Sequence, residues 1–316
     1  MKYKWLRLQC ENPRCPNPGG VWRTLFEPPR GVLLHDQWLC SPTCLDQVLE
    51  HLLSPLIEST RAKRGTKAHR FPLGLLMLSL GLIDNESLQT ALQAQRDAGQ
   101  GRVGDWLRQQ GAVTEPQVTR ALAMQWALPV YPLEKRDDNL DCAHLVPFPL
   151  LDAFQMLPVY RSPVSGLLHV AFSSRVDYTV LYAIEQMLEW RTEPCVAQES
   201  YIERALERLR QESGSTDIRI AGAMEPSVIS RATLQQMLKF EAQEVRVVGC
   251  ANNIWVRLLA PQGARDLVFY RAADNSVLTQ TQSNIRVRDI EVRFNPNSEV
   301  GQRFLPSWGR TVGSGQ

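Results

Sequence analysis

The sequence predicts a multidomain α+β protein: a four-cysteine zinc finger, a helical tandem-repeat domain, a small α/β subdomain, and a C-terminal antiparallel sheet with a helix. Three observations predict it. Four of the seven cysteines fall within the first 44 residues, as two spaced pairs. A stretch of similar pattern is written twice, at residues 72–95 and 102–125. The remainder mixes strand-like and helix-like runs and ends in apolar residues that alternate with a period of two. A chain of 316 residues suffices for two or three domains, and its 44% hydrophobic and 22% charged content is ordinary for globular protein.

The composition also excludes some classes. A net charge of +2 provides no general electrostatic grip on nucleic acid, which is therefore not an expected partner. No run of about 20 apolar residues could span a bilayer. The opening "MKYKWLRLQC" lacks the apolar core of a signal peptide. A cytoplasmic location without a membrane span is expected, and there clustered cysteines serve as metal ligands more often than as disulfides.

The cysteine pairs are "CENPRC" (Cys10, Cys15) and "CSPTC" (Cys40, Cys44). Pro13, Pro16 and Pro18 favour turns around the first pair. The run "LDQVLEHLL" after the second reads as a helix reaching about Ser59, whose N-terminal amides would face the last thiolates. Four sulfurs complete the tetrahedron of Zn2+ and leave no position for a reactive water, so the expected role is structural. "WLCSPTC" ahead of a helix resembles treble-clef fingers of the FCS type. Residues 1–60 are thus read as a zinc-binding finger plus helix. His35 is not needed as a ligand, and the scattered Cys142, Cys195 and Cys250 read as small buried apolar residues.

"RAKRGTKAHR" supplies a basic linker, residues 61–69. Residues 70–134 carry the tandem units. Each opens with a short apolar helix, breaks at a glycine (Gly81, Gly111) and restarts at an N-cap residue, Asp84 or Thr114. Thr114 with Gln117 fits a capping box. Leu88, Ala91, Leu92 and Gln95 then share one helix face, matched by Val118, Ala121, Leu122 and Gln125. Each unit is a helix pair with one apolar face, so the two should pack together.

Residues 135–212 read as a small α/β subdomain: strands at "MLPVY", "LLHVAFS" and "EPCVAQ", helices at "YTVLYAIEQMLEW" and "SYIERALERLRQE". A linker follows at 213–229, including the polar "ESGSTD". Residues 230–305 read as an α+β domain that opens with a helix capped by Ser230. Its strands are "EVRVVGC", "NIWVRLLA", "DLVFYRA" and "IRVRDIEVRF", with a turn at "PQGA". Residues 306–316 read as a tail.

Residues 70–134 resemble the MshEN domain, the cyclic di-GMP-binding N-terminal domain of the ATPases that drive type II secretion and type IV pili. Each motif of that family opens with Arg-Leu-Gly and continues with apolar residues, a second glycine, further apolar positions and a closing glutamine. The second unit here reads Arg102, Val103, Gly104, Leu107, Gly111, Val113, Val118, Leu122 and Gln125. The first reads Leu73, Gly74, Met77, Gly81, Ile83, Leu88, Leu92 and Gln95, with Pro72 in place of the arginine. Residues 135–212 also look like the subdomain that follows in those ATPases.

The resemblance implies cyclic di-GMP as a regulatory ligand, held across Leu73, Gly74, Met77, Gly81, Gln95, Arg102, Val103, Gly104, Leu107, Gly111 and Gln125. Two equivalent units suit a ligand with two guanines and two phosphates. Arg102 can pair bidentately with guanine O6 and N7 or with phosphate. Leu73, Met77, Val103 and Leu107 can offer apolar contact to a purine face, and the glutamines offer both donor and acceptor. No G-x-x-x-x-G-K-[ST] string occurs and no catalytic constellation is legible, so an enzyme is not expected. The expected role is a non-catalytic regulatory or adaptor protein of a bacterial secretion or pilus system, partnered by its ATPase or a related component. The alternative is a structural protein-interaction module that kept the fold and lost the nucleotide.

Overall fold

A computed structural model describes residues 9–16, 31–62, 71–132, 140–212, 218–221 and 224–270. The basic linker from residue 63 onward, Arg70, the hinge at 213–217, the strand expected at "IRVRDIEVRF" and the tail lie outside these residues. The chain divides into two compact units, residues 1–63 with 215–316, and residues 64–214.

The first unit is built on a six-stranded sheet. It begins with a hairpin, β1 (Val32–Leu34) and β2 (Gln37–Leu39), followed by α1 (Pro42–Ala62). From the C-terminal part come β6 (Ile218–Ala221), α9 (Pro226–Phe240), β7 (Glu244–Cys250), β8 (Asn253–Ala260) and β9 (Gly263–Tyr270). The strand order is β2-β1-β7-β8-β9-β6. The antiparallel meander β7-β8-β9 matches the alternation read in the sequence, and Ala260 pairs with Gly263 across the predicted turn.

The sequence did not reveal the closure of this sheet. The finger and the C-terminal domain, read as separate at 1–60 and 230–305, share one sheet, because β1 pairs in parallel with β7 at Leu33↔Glu244 and Leu34↔Val245. The opposite edge is β6, in parallel with β9, within the stretch read as linker. Helices α1 and α9 cover one face, and Leu45, Leu49, Ile229, Val245, Val256 and Leu267 meet in the core between them and the sheet. Ser230 is no helix cap. Pro226 opens α9 after an extended Glu225, a start that suits proline because the first helical N–H has no partner to lose. Ser230 is buried one turn further on, and its Oγ donates to Asp46 Oδ1 of α1 at 2.6 Å.

The second unit contains the tandem helices: α2 (Leu73–Ser79), α3 (Asn85–Ala98), α4 (Val103–Gln109) and α5 (Glu115–Trp126). After them come α6 (Phe148–Phe154), β3 (Met156–Ser162), β4 (Leu167–Phe172), α7 (Tyr178–Leu188), β5 (Arg191–Val196) and α8 (Glu199–Glu212). The sheet order is β3-β4-β5, antiparallel then parallel. Tyr131 N–H donates to Val196 O at 2.8 Å and Val196 N–H to Pro129 O at 2.9 Å, tying the end of the tandem region to β5. The short α6 was not predicted. Seven residues that follow Pro147 and include Pro149 carry too little periodicity to announce a helix.

The helix starts read from sequence hold within the tandem region. Asp84 Oδ1 accepts the Ser87 amide at 2.8 Å, and Gln117 Oε1 accepts the Thr114 amide at 2.8 Å. Gly81 and Gly111 carry φ of 67° and 71°, the left-handed conformation that ends α2 and α4 at little steric cost. The bond from the Ser87 amide holds the Asp84 carboxyl below its ordinary range. Because the folded-state value is depressed, the cap's stabilisation is complete above the ordinary carboxylate range and is lost as pH falls through the depressed value. Asp84→Asn keeps the acceptor and is expected to retain α3 while removing this acid sensitivity. Titrating the Asp84 carboxyl carbon by NMR, with amide exchange over α3, checks both.

Candidate functional site

Two assemblies of side chains stand out, one in each unit. In the first, the Sγ atoms of Cys10, Cys15, Cys40 and Cys44 all lie within 4.8 Å of one another. Cys10 and Cys15 flank a turn in which Arg14 N–H donates to Asn12 Oδ1 at 3.0 Å, and Asn12 Nδ2 anchors to Gln47 Oε1 of α1 at 2.9 Å. Cys40 follows β2, and Cys44 sits in the first turn of α1.

The helix begins at Pro42, earlier than the sequence suggested, because Ser41 caps it: Ser41 Oγ accepts the Cys44 amide at 3.2 Å. That amide is therefore unavailable to sulfur. The donor to a thiolate is instead the Cys40 amide, 3.5 Å from Cys10 Sγ.

The spacing fits a metal. Zinc–sulfur bonds of about 2.3 Å in a tetrahedron place the sulfurs about 3.8 Å apart. Cys15–Cys40 and Cys40–Cys44 stand at 3.6 and 3.8 Å, far beyond the roughly 2.05 Å of a disulfide. Burial and hydrogen bonds to the Cys15 and Cys10 thiols push the Cys40 thiol far above its usual range. Burial also raises Cys44, but bonds with Ser41, Asn12 and the other thiols outweigh it and leave Cys44 lowered. These four cysteines could hold a metal ion. His35 does not join them, since its Nε2 accepts the Val247 amide of β7 at 3.1 Å, and burial lowers its pKa.

In the second unit the two motifs interlock reciprocally. Each position has a counterpart thirty residues on, as Gly74 has Gly104 (104 − 74 = 30). Gln95 Nε2 of α3 donates to Gly101 O, just before α4, at 2.7 Å. Gln125 Nε2 of α5 donates to Phe71 O, just before α2, at 2.7 Å. Each closing glutamine thus clamps the entry of the other unit. The glycines repeat the exchange. A Cβ on Gly74 would stand 2.6 Å from Leu88 and 3.7 Å from Val103; one on Gly104 would stand 3.2 Å from Val118 and 3.6 Å from Leu73.

This geometry sorts the predicted binding residues. Gly74, Gly104, Met77 and Leu107 are buried, the last two fully, so their apolar contact goes to the protein's own core with Leu88 and Ala121. Leu73 and Val103 are half-buried at the helix starts, Gly81 and Gly111 are exposed, and Gln95 and Gln125 are half-buried on their carbonyls. Arg102 is exposed on the extended residue before α4.

The sequence missed what faces that arginine. Arg102 Nη1 meets Glu199 Oε1 of α8 at 3.2 Å, and Arg108 Nη1 meets Glu199 Oε2 at 3.4 Å. Glu115, the first residue of α5, accepts the Ser200 amide and hydroxyl at 2.8 Å each. No local signal marks this cluster, since its partners lie 85 to 97 residues apart.

Comparison with known proteins gives three results. Residues 126–216 match the family model of the MshEN domain, so the match covers the α/β subdomain and lies beyond the paired motifs. The type IV pilus assembly ATPase PilB of Thermus thermophilus is 23% identical over 212 residues; the match takes in 63% of this chain, which spans 23% of PilB. Among solved structures, MshE with cdg is 29% identical and covers 44% of this chain and 99% of its own, with a TM-score of 0.37. The N-terminal domain of XpsE is 18% identical over 43% of this chain and 92% of its own, with a TM-score of 0.33. The chain is therefore similar to the MshEN domain over residues 126–216, and its relatives include a pilus assembly ATPase.

Proposed function

We propose that this protein is a non-catalytic, cyclic di-GMP-responsive regulator or adaptor of a bacterial type II secretion or type IV pilus system, acting on the ATPase or a related component. The observation that carries this reading is the reciprocal clamp, Gln95 on Gly101 O and Gln125 on Phe71 O, which holds two equivalent units in a fixed relation. A ligand with two like halves needs that arrangement. The MshEN match adjoining the units supports the assignment. The four cysteines take a structural Zn2+ that fixes the hairpin and α1 as a treble-clef-like finger.

Calorimetric titration of the full chain with cyclic di-GMP is expected to show saturable binding. Arg102→Ala should weaken it roughly tenfold or more, as loss of a charge-assisted contact requires. Gln125→Ala should weaken it by loosening the clamp.

A specific observation favours the second reading, a protein-interaction module without nucleotide. Where the second unit has Arg102, Asp105 and Arg108, the first has Pro72, Leu75 and Leu78, and Phe71 and Leu75 are exposed. Absence of heat at nucleotide concentrations of roughly tens of micromolar would decide for that module.

A further inference from the structure

We infer that Glu199 is a built-in competitor for the second motif, and that an anionic ligand reaching Arg102 must displace this carboxylate. The inference rests on the nucleotide reading above and adds the regulation of that site.

The geometry has three parts. A single carboxylate takes two guanidiniums of the second motif, those of Arg102 and Arg108, one oxygen each, and so stands where a phosphate oxygen or a guanine edge would make the same bonds. Its position is fixed. Glu199 opens α8, and the next residue, Ser200, is bound through both amide and hydroxyl by the Glu115 carboxylate. The second motif therefore supplies both the cations that receive Glu199 and the acid that aims it. Finally, the first motif has no equivalent, since Pro72, Leu78 and Asn85 occupy the positions of Arg102, Arg108 and Glu115.

The contact is suited to exchange. Arg102 is 54% exposed and Arg108 34%, so incoming ligand can reach them. Burial, and then Asp105 of α4, push the Glu199 carboxyl above its usual range, with the two arginines opposing but not cancelling that shift. Both oxygens of Glu199 are bonded, but its charge is held at a cost in this partly buried place, and a better-placed phosphate can replace it. The ligand favours the state in which Glu199 has left the arginines, so its affinity carries the cost of that displacement.

The test uses the full chain with cyclic di-GMP as probe, with affinity read by calorimetry. Glu199→Gln is expected to bind about fivefold tighter or more. Glu199→Asp keeps the charge but is one methylene shorter, so it should also bind tighter; it carries the test if the glutamine variant folds poorly. Equal affinity of wild type and Glu199→Gln overturns the competitor and leaves the nucleotide reading standing. Tighter binding by Glu199→Gln alone, with Glu199→Asp like wild type, overturns it as well, because charge rather than contact would be acting. If neither wild type nor variants bind, the nucleotide reading falls and the competitor with it.

Discussion

Cys44→Ser is expected to abolish stoichiometric zinc and to lower the thermal midpoint by on the order of 10 °C. The four sulfurs hold a turn, the end of a hairpin and the first turn of α1 at separations that match a tetrahedral ion. Cys44 is enclosed within that set. Removing one ligand leaves three thiols that repel one another when ionised, with nothing to neutralise them. The consequence spreads because the finger is no appendage. Strand β1 pairs with β7, and α1 packs against α9 and the sheet, so a loosened finger exposes the core of the whole unit. Structural zinc contributes apparent folding free energies of about 10 kcal/mol or more in isolated fingers. A larger unit keeps other contacts, so a net loss of ~4 kcal/mol is a reasonable scale, and each kcal/mol shifts the midpoint by about 2–4 °C. Cys250→Ser is the control. It removes an equally buried cysteine outside the cluster, and metal content should stay at one ion per chain. Elemental analysis of purified protein, before and after chelation, reads the first claim, and a melting curve reads the second. Full metal content in Cys44→Ser would refute the site.

What was legible in the sequence follows from how far apart the interacting residues lie. Asp84, Thr114 and Gln117 were readable because a helix cap is decided within four residues. The cysteine pairs were readable as one cluster because two closely spaced hooks need only a hairpin between them to bring four sulfurs together. The period-two runs of β7, β8 and β9 announced a meander, since consecutive antiparallel strands need only short turns. The parallel pairing of β1 with β7 was not readable, because the two strands are separated by some 210 residues and three residues of β1 carry no pattern of their own. The strand β6 hid in a stretch of only four residues for the same reason. Ser230 misled because a serine before an apolar-periodic run looks like a cap, whereas Pro226 had already set the helix going. The motif residues gave a third kind of result. The spacing of Gly74, Met77, Gly104 and Leu107 placed them on the correct helices, but periodicity alone cannot tell a face turned to ligand from one turned to core. Glu199 lies one residue before the helix read at "SYIERALERLRQE" and carried no signal of its own; only the fold brings it to Arg102.

The second large effect is expected at a place that carries no motif. Asp266→Ala should destabilise the first unit by about 3–5 kcal/mol, the scale for breaking one side of a buried ion pair. Arg257 of β8 and Asp266 of β9 are direct cross-strand neighbours with side chains only 8% and 6% exposed. Asp266 Oδ1 accepts from Arg257 Nε at 2.9 Å and from Trp255 Nε1 at 2.7 Å, while Oδ2 accepts from Arg257 Nη2 at 2.8 Å. Its removal would take two bonds from a buried guanidinium and one from an indole N–H, and the penalty of unmet buried donors exceeds the net worth of the bonds themselves. The pair lies on the sheet face opposite the α1–α9 core, since Ile254, Val256 and Leu258 alternate with Trp255 and Arg257 along β8. The double variant Arg257→Met with Asp266→Leu removes both charges and should regain much of the loss, because desolvation offsets most of what a buried pair contributes. A double-mutant cycle from urea melts gives the coupling directly, and Trp255 fluorescence should shift in Asp266→Ala and not in the control Arg246→Ala. A single variant within ~1 kcal/mol of wild type would mean that water reaches the pair and that this face of the sheet is open rather than sealed.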